Sequence, residues 1–167
     1  LFGIIPNYDL SVMKQNQSLS SLTGKIVSGV DKVIKEFVPD LILIHGDTTT
    51  TFSASLAAYY NKISIGHVEA GLRTGDLQAP WPEEANRQLT GILTDYHFAP
   101  TKTAVNNLVK EGKKKSEIYI TGNTVIDSLF WARDKIKDDK NLEVEMEKRF
   151  PFLDSKKKLI LVTGHRR

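Results

Sequence analysis

Helix-spaced and unbroken apolar segments alternate along this chain, and that alternation restricts the fold more than any other feature. At Leu22, Ile26, Val30, Val33, Ile34 and Phe37 the apolar residues fall on one helical face. Pro39 stops that helix. Leu41, Ile42, Leu43 and Ile44 then form a continuous apolar run, the mark of a strand covered on both faces. The same reading predicts a helix from about 51 to 60, a strand starting at Ile63, a helix from about 83 to 93 and a strand at 96–99. Thr101 caps a helix that Gly112 ends, Ile118–Ile120 is extended, and Asn123 or Thr124 opens a helix through Ile136. A last strand is predicted at 159–162. Alternation of this kind specifies an α/β fold built on a doubly wound parallel sheet.

The chain enters on a loop and a helix, without a leading strand, and stops where a strand-to-helix loop should begin. The expected organisation is therefore an incomplete first domain over 1–150, a linker at 151–158, and the first strand and loop of a second domain at 159–167.

Composition narrows the function classes. With 40% apolar and 26% charged residues in 167, the chain is of globular type. It has no cysteine, which excludes disulfides, thiolate catalysis and cysteine zinc sites and fits a cytoplasmic setting. No apolar run is long enough to span a bilayer, so no membrane partner is expected. The net charge of +3 gathers at Lys110, Lys113, Lys114, Lys115 and at Lys156, Lys157, Lys158. No aromatic residues interleave with these lysines for base stacking, so they read as solvated turns, not as a nucleic-acid surface.

In parallel sheets of this type, ligands bind at the carboxyl ends of the strands. Polar, glycine-bearing loops follow four of the predicted strands: 45–51, 67–73, 121–124 and 163–167. Asp47 could cap the next helix, but the threonines behind it can do the same, which leaves its carboxylate for other work. Glu69 follows a buried strand directly, where it either pairs with Arg73 or acts as an acid or base in a cleft. Glu83 and Glu84 suit the first turn of a helix, and Arg87 lies one turn beyond Glu83, placed to pair with it or to share a cleft. His165, beside Arg166 and Arg167, suits a phosphate group as well as it suits a charged tail. His45, Asp47, His67 and Glu69 would ring a metal if the strands bring them together, although acids and arginines equally serve direct acid–base chemistry. There is no dinucleotide-binding fingerprint and no P-loop.

Five segments, HGDTTTT (45–51), GHVEAGLRTGD (66–76), PWPEEANR (80–87), TGNTVID (121–127) and LVTGHRR (161–167), closely resemble the bacterial non-hydrolysing UDP-N-acetylglucosamine 2-epimerases in order and spacing. The resemblance covers nearly the whole chain. It implies a Rossmann-like domain within a two-domain, glycosyltransferase-B-like fold that is truncated here at both ends. It implies interconversion of UDP-GlcNAc and UDP-ManNAc by elimination and re-addition of UDP, without metal or nicotinamide cofactor. The family's catalytic acids match Asp47, Glu69 and Glu83, and its catalytic histidine matches His165. Asp47, Glu69, Arg87, His165 and Arg167 would contact a UDP-sugar substrate, and the full-length protein would be a homodimer. The family's opening phosphate loop and its second domain are absent from this sequence. Lys25 stands where substrate-activated members carry an arginine. A glycosyltransferase of the same fold and a non-catalytic nucleotide-sugar-binding domain are the competing readings. PWPEEANR counts against the first, and the retained acids count against the second.

Overall fold

The computed structural model describes residues 2–154 and 156–163. The chain divides into two compact units, Leu1–Gly122 and Asn123–Arg167.

The first unit is built from alternating helices and strands. Helix α1 (Leu19–Phe37) begins at Ser18, whose hydroxyl accepts from the Ser21 N–H, and ends at Val38 in a left-handed conformation just before Pro39. Strand β1 (Leu41–His45), helix α2 (Thr49–Tyr60), strand β2 (Ser64–Val68), helix α3 (Glu83–Leu93), strand β3 (Tyr96–Ala99), helix α4 (Lys102–Lys110) and strand β4 (Ile118–Ile120) follow. All pairings are parallel, in the order β1-β2-β3-β4. The expected α/β parallel architecture is present, with element bounds close to those read from the apolar spacing.

Strand order never reverses within this unit, and right-handed crossovers then deliver successive helices to the same face of the sheet. Ile42, Ile44 and Ile65 pack there against Ile34, Ala57, Ala58 and Leu93. Next to them, Ala70, Ala99 and Ile118 pack on Ala104 and Leu108 of α4. The opposite face carries Leu41, Leu43, Tyr96 and Tyr119, all exposed, with Leu43 at 61%. The apolar run at 41–44 is therefore covered on one face, not on the expected two. Cover for the other face would need a crossover running the other way.

The second unit comprises helix α5 (Thr124–Asp138), opened by Asn123 as its cap, and helix α6 (Lys140–Arg149), capped by Asp139. Helix α6 is not legible as an amphipathic segment, because its sequence, KNLEVEMEKR, carries three spaced apolar residues among charges. Residues 159–163 form no strand, and Leu159, Ile160, Leu161 and Val162 are largely exposed. The strand predicted at 159–162, as part of a second domain, is not formed among the described residues: an extended segment becomes a strand only when a neighbour takes up its N–H and C=O groups.

Candidate active site

The carboxyl ends of β1 and β2 and the start of α3 bring together most of the acids singled out in the sequence. Thr48 caps α2, its hydroxyl accepting from Thr51 N–H at 3.3 Å. Asp47 is thus released from capping, and its Oδ2 accepts from Arg87 Nη2 at 2.6 Å. Both side chains are mostly shielded, at 22% and 16% exposure, so the pair is screened less than a surface ion pair.

Glu69 directly follows β2 with a φ of 70°, a left-handed conformation that costs a non-glycine residue about 1–2 kcal/mol. That turn carries its carboxylate over Gly46, where Oε2 lies 3.6 Å from the position a Cβ would occupy. A Cβ at Gly46 would make an ordinary contact with that carboxylate, but the φ of 75° there favours glycine. The alternative partner considered for Glu69 is occupied elsewhere. Arg73 makes a two-pronged contact with Glu111, at 2.7 and 2.9 Å, and also donates to Leu72 O. Two residues on, Gly71 has a φ of 85°, and a Cβ there would come within 2.4 Å of the Ala104 carbonyl oxygen. The close approach of the β2 loop to α4 therefore requires glycine.

Glu83 opens α3 with one carboxylate oxygen buried. The intrahelical ion pair of Arg87 is made with Glu84, at 3.3 Å, and not with Glu83. Three-residue spacing brings Glu84 alongside Arg87, whose second branch then reaches Asp47. Glu84 is completely buried. Burial alone would push its carboxyl up. Donors from Gln88, Thr74 N–H, Gly75 N–H and Arg87 outweigh that and hold it below its ordinary value. It is the anchor that ties the 74–75 turn to α3.

His67 is buried, and its Nε2 lies 2.8 Å from Gly46 O. A carbonyl only accepts, so the ring proton sits on Nε2. Burial pushes this histidine down to about 4. It is therefore neutral near pH 7, a hydrogen-bond donor and not a cation. Among the described residues no group of three or more histidines and carboxylates is arranged to hold a metal ion. His165 and Arg167 lie outside the described residues. Asn86, which donates from Nδ2 to Asp47 O at 2.9 Å, had no role assigned from sequence, while Glu84 was read only as a first-turn acid and His67 only as a candidate metal ligand. Asn86 and Thr90 are both buried at four-residue spacing on a helix of polar sequence, which was the readable sign of a polar inward face.

A parallel sheet that gathers acids and a largely shielded arginine at the carboxyl ends of its strands has these groups where α/β folds of this class bind ligands. The comparisons make the assignment specific. The family model described as UDP-N-acetylglucosamine 2-epimerase matches residues 1–167, and the chain belongs to that family. It is 58% identical over its whole length to the UDP-N-acetylglucosamine 2-epimerase of Yersinia pestis and 56% identical to that of Escherichia coli K12, spanning 44% of each. Among solved structures, the UDP-GlcNAc 2-epimerase of Neisseria meningitidis bound to UDP-GlcNAc superposes with a TM-score of 0.85 at 51% identity, over 91% of this chain and 41% of that one. The archaeal UDP-GlcNAc 2-epimerase of Methanocaldococcus jannaschii gives 0.79 at 34% identity, over 87% of this chain and 39% of that one.

Proposed function

We propose that the full-length protein containing this chain interconverts UDP-N-acetylglucosamine and UDP-N-acetylmannosamine. In the elimination, a carboxylate takes the C2 proton, the electrons of that C–H bond form a C1=C2 double bond, and the C1–O bond breaks to release UDP with its electron pair. Re-addition of UDP at C1, with a proton delivered to C2 from the opposite face, gives the epimer. The intermediate is 2-acetamidoglucal. The observation that carries this reading is the shielded set Asp47, Arg87 and Glu69 around Gly46, with Glu83 at the start of α3. Weakly acidic C2–H bonds need a positioned carboxylate in a site with little water. The relatives' names and the UDP-GlcNAc-bound structure from Neisseria support the substrate.

In this reading Asp47, Glu69 and Glu83 are the catalytic acids. His165 and Arg167 meet the diphosphate, where they stabilise charge on the departing UDP. Residues 1–150 belong to a first domain, 151–158 to a linker and 159–167 to the start of a second domain, with the substrate held between the two. The protein acts in the cytoplasm as a homodimer. The test is turnover of UDP-GlcNAc in deuterium oxide. Deuterium is expected at C2 of both epimers, and epimerisation without C2 label would overturn the mechanism.

A further inference from the structure

Three consecutive backbone carbonyls lead through Asp47, and each accepts from a different buried side chain. His45 O accepts from Thr51 Oγ1 at 2.6 Å, Gly46 O from His67 Nε2 at 2.8 Å, and Asp47 O from Asn86 Nδ2 at 2.9 Å. The three donors are no more than 7% exposed and come from α2, β2 and α3. The Gly46 N–H adds a fourth tie, to Val68 O at 3.1 Å. Capping of α2 explains none of these bonds, because Thr48 does that work.

The geometric consequence falls on one residue. The carbonyls of Gly46 and Asp47 belong to the two peptide planes on either side of the Asp47 Cα. Holding both planes fixes φ and ψ there, and with them the direction of the Cα–Cβ bond. Arg87 then orients the carboxylate at the end of that bond. We infer that His67 and Asn86 are positioning residues that aim the Asp47 carboxylate by clamping the peptide planes before and after it. This inference rests on the catalytic role proposed for Asp47. Neutrality of His67 fits the task, since its burial keeps it an uncharged donor across the neutral range.

The experiment compares Asn86→Ala, His67→Met, His67→Gln and Asp47→Asn in the full-length protein, reading kcat, KM and melting temperature with UDP-GlcNAc. Glutamine can place its amide N–H near the position of the histidine Nε2–H, whereas methionine has similar bulk and no donor. Asn86→Ala and His67→Met are expected to lower kcat about 10–100-fold, the scale of a misplacement near 1 Å, at nearly unchanged KM. His67→Gln should recover most of the lost kcat. If Asp47→Asn loses turnover while Asn86→Ala and His67→Met keep it, the inference fails and the proposed function stands. If the losses appear in KM, follow the melting temperature, or are equal in His67→Gln and His67→Met, the residues are merely structural and the inference fails. If Asp47→Asn keeps full turnover, the role of Asp47 fails and the inference falls with it.

Discussion

Lowering the pH from 7.5 to 5 should destabilise the sheet through two histidines that face the same helix layer. His67 and His97 are register partners on β2 and β3, 1% and 0% exposed. Burial pushes each down to about 4 from 6.5. For His97 the nearby Lys113, His67 and Arg73 act in the same direction and Glu117 against it. Neither ring nitrogen of His97 has a hydrogen-bond partner among the described residues. A histidine whose folded value is depressed binds its proton more readily when unfolded. Its contribution is therefore complete above about 6.5 and is lost as pH falls toward about 4. Between pH 7.5 and 5 the loss is about 2 kcal/mol per histidine, a large share of a typical stability of about 5–15 kcal/mol. Asp31 and Glu84, held below their ordinary values, lose their contributions at lower pH, so they do not mask this window. The check is urea unfolding of the full-length protein at both pH values, alongside His97→Leu. Replacing an unpartnered ring by an apolar side chain should cost little at pH 7.5 and should shrink the acid-induced loss by about 2 kcal/mol. Parallel pH dependences for wild type and His97→Leu would refute the reasoning, as would an NMR titration placing the His97 ring near 6.5.

Three further perturbations have defined outcomes. Asp47→Asn, Glu69→Gln and Glu83→Gln are nearly isosteric, and each is expected to cost about 10²–10⁴ in turnover with an intact fold, as read by steady-state kinetics and circular dichroism. Near-normal turnover would remove that residue from the catalytic set. Gly71→Ala should destabilise by about 2–4 kcal/mol, from a strained φ of 85° and a clash with the Ala104 backbone that cannot relax, as measured by denaturant midpoint. Glu84→Gln should cost about 2–4 kcal/mol, because an amide NH2 would face donors that now meet carboxylate oxygens; a change under about 0.5 kcal/mol would show that the buried carboxylate anchors nothing.

The parallel sheet was legible because its signals are local. Apolar spacing marked α1, the Thr101 cap and Gly112 marked α4, and Ser18, Thr48 and Thr101 supply side-chain caps where three of the helices start. What the spacing could not give was the number of covered faces. Leu41–Ile44 has the same apolar run whether one or two helix layers lie against it, and only the strand order decides that. The extended run at 159–162 shows the converse limit. Its composition favours a strand, but a strand exists through hydrogen bonds to a neighbour, which no property of the run itself can supply.

At the site the same division separates residues from their partners. Asp47 and Glu69 were legible as acids placed after buried strands, where packing gives no reason for a charge. Their partners were not, because sequence proximity points to the wrong ones. Arg73 lies four residues from Glu69 yet pairs with Glu111, 38 residues away. Arg87 lies four residues from Glu83 yet bridges Glu84 and Asp47. In both cases the arginine goes to a carboxylate brought to it by the fold, and the local candidate stays out of that ion pair. A fixed arginine beside Asp47 favours its charged form, while Glu69 and Glu83 are not the carboxylates that Arg73 and Arg87 hold. The long-range pairings therefore set the charge around the candidate site: Asp47 is held by the arginine that sequence spacing gives to Glu83, and Arg73 is drawn from Glu69 to Glu111.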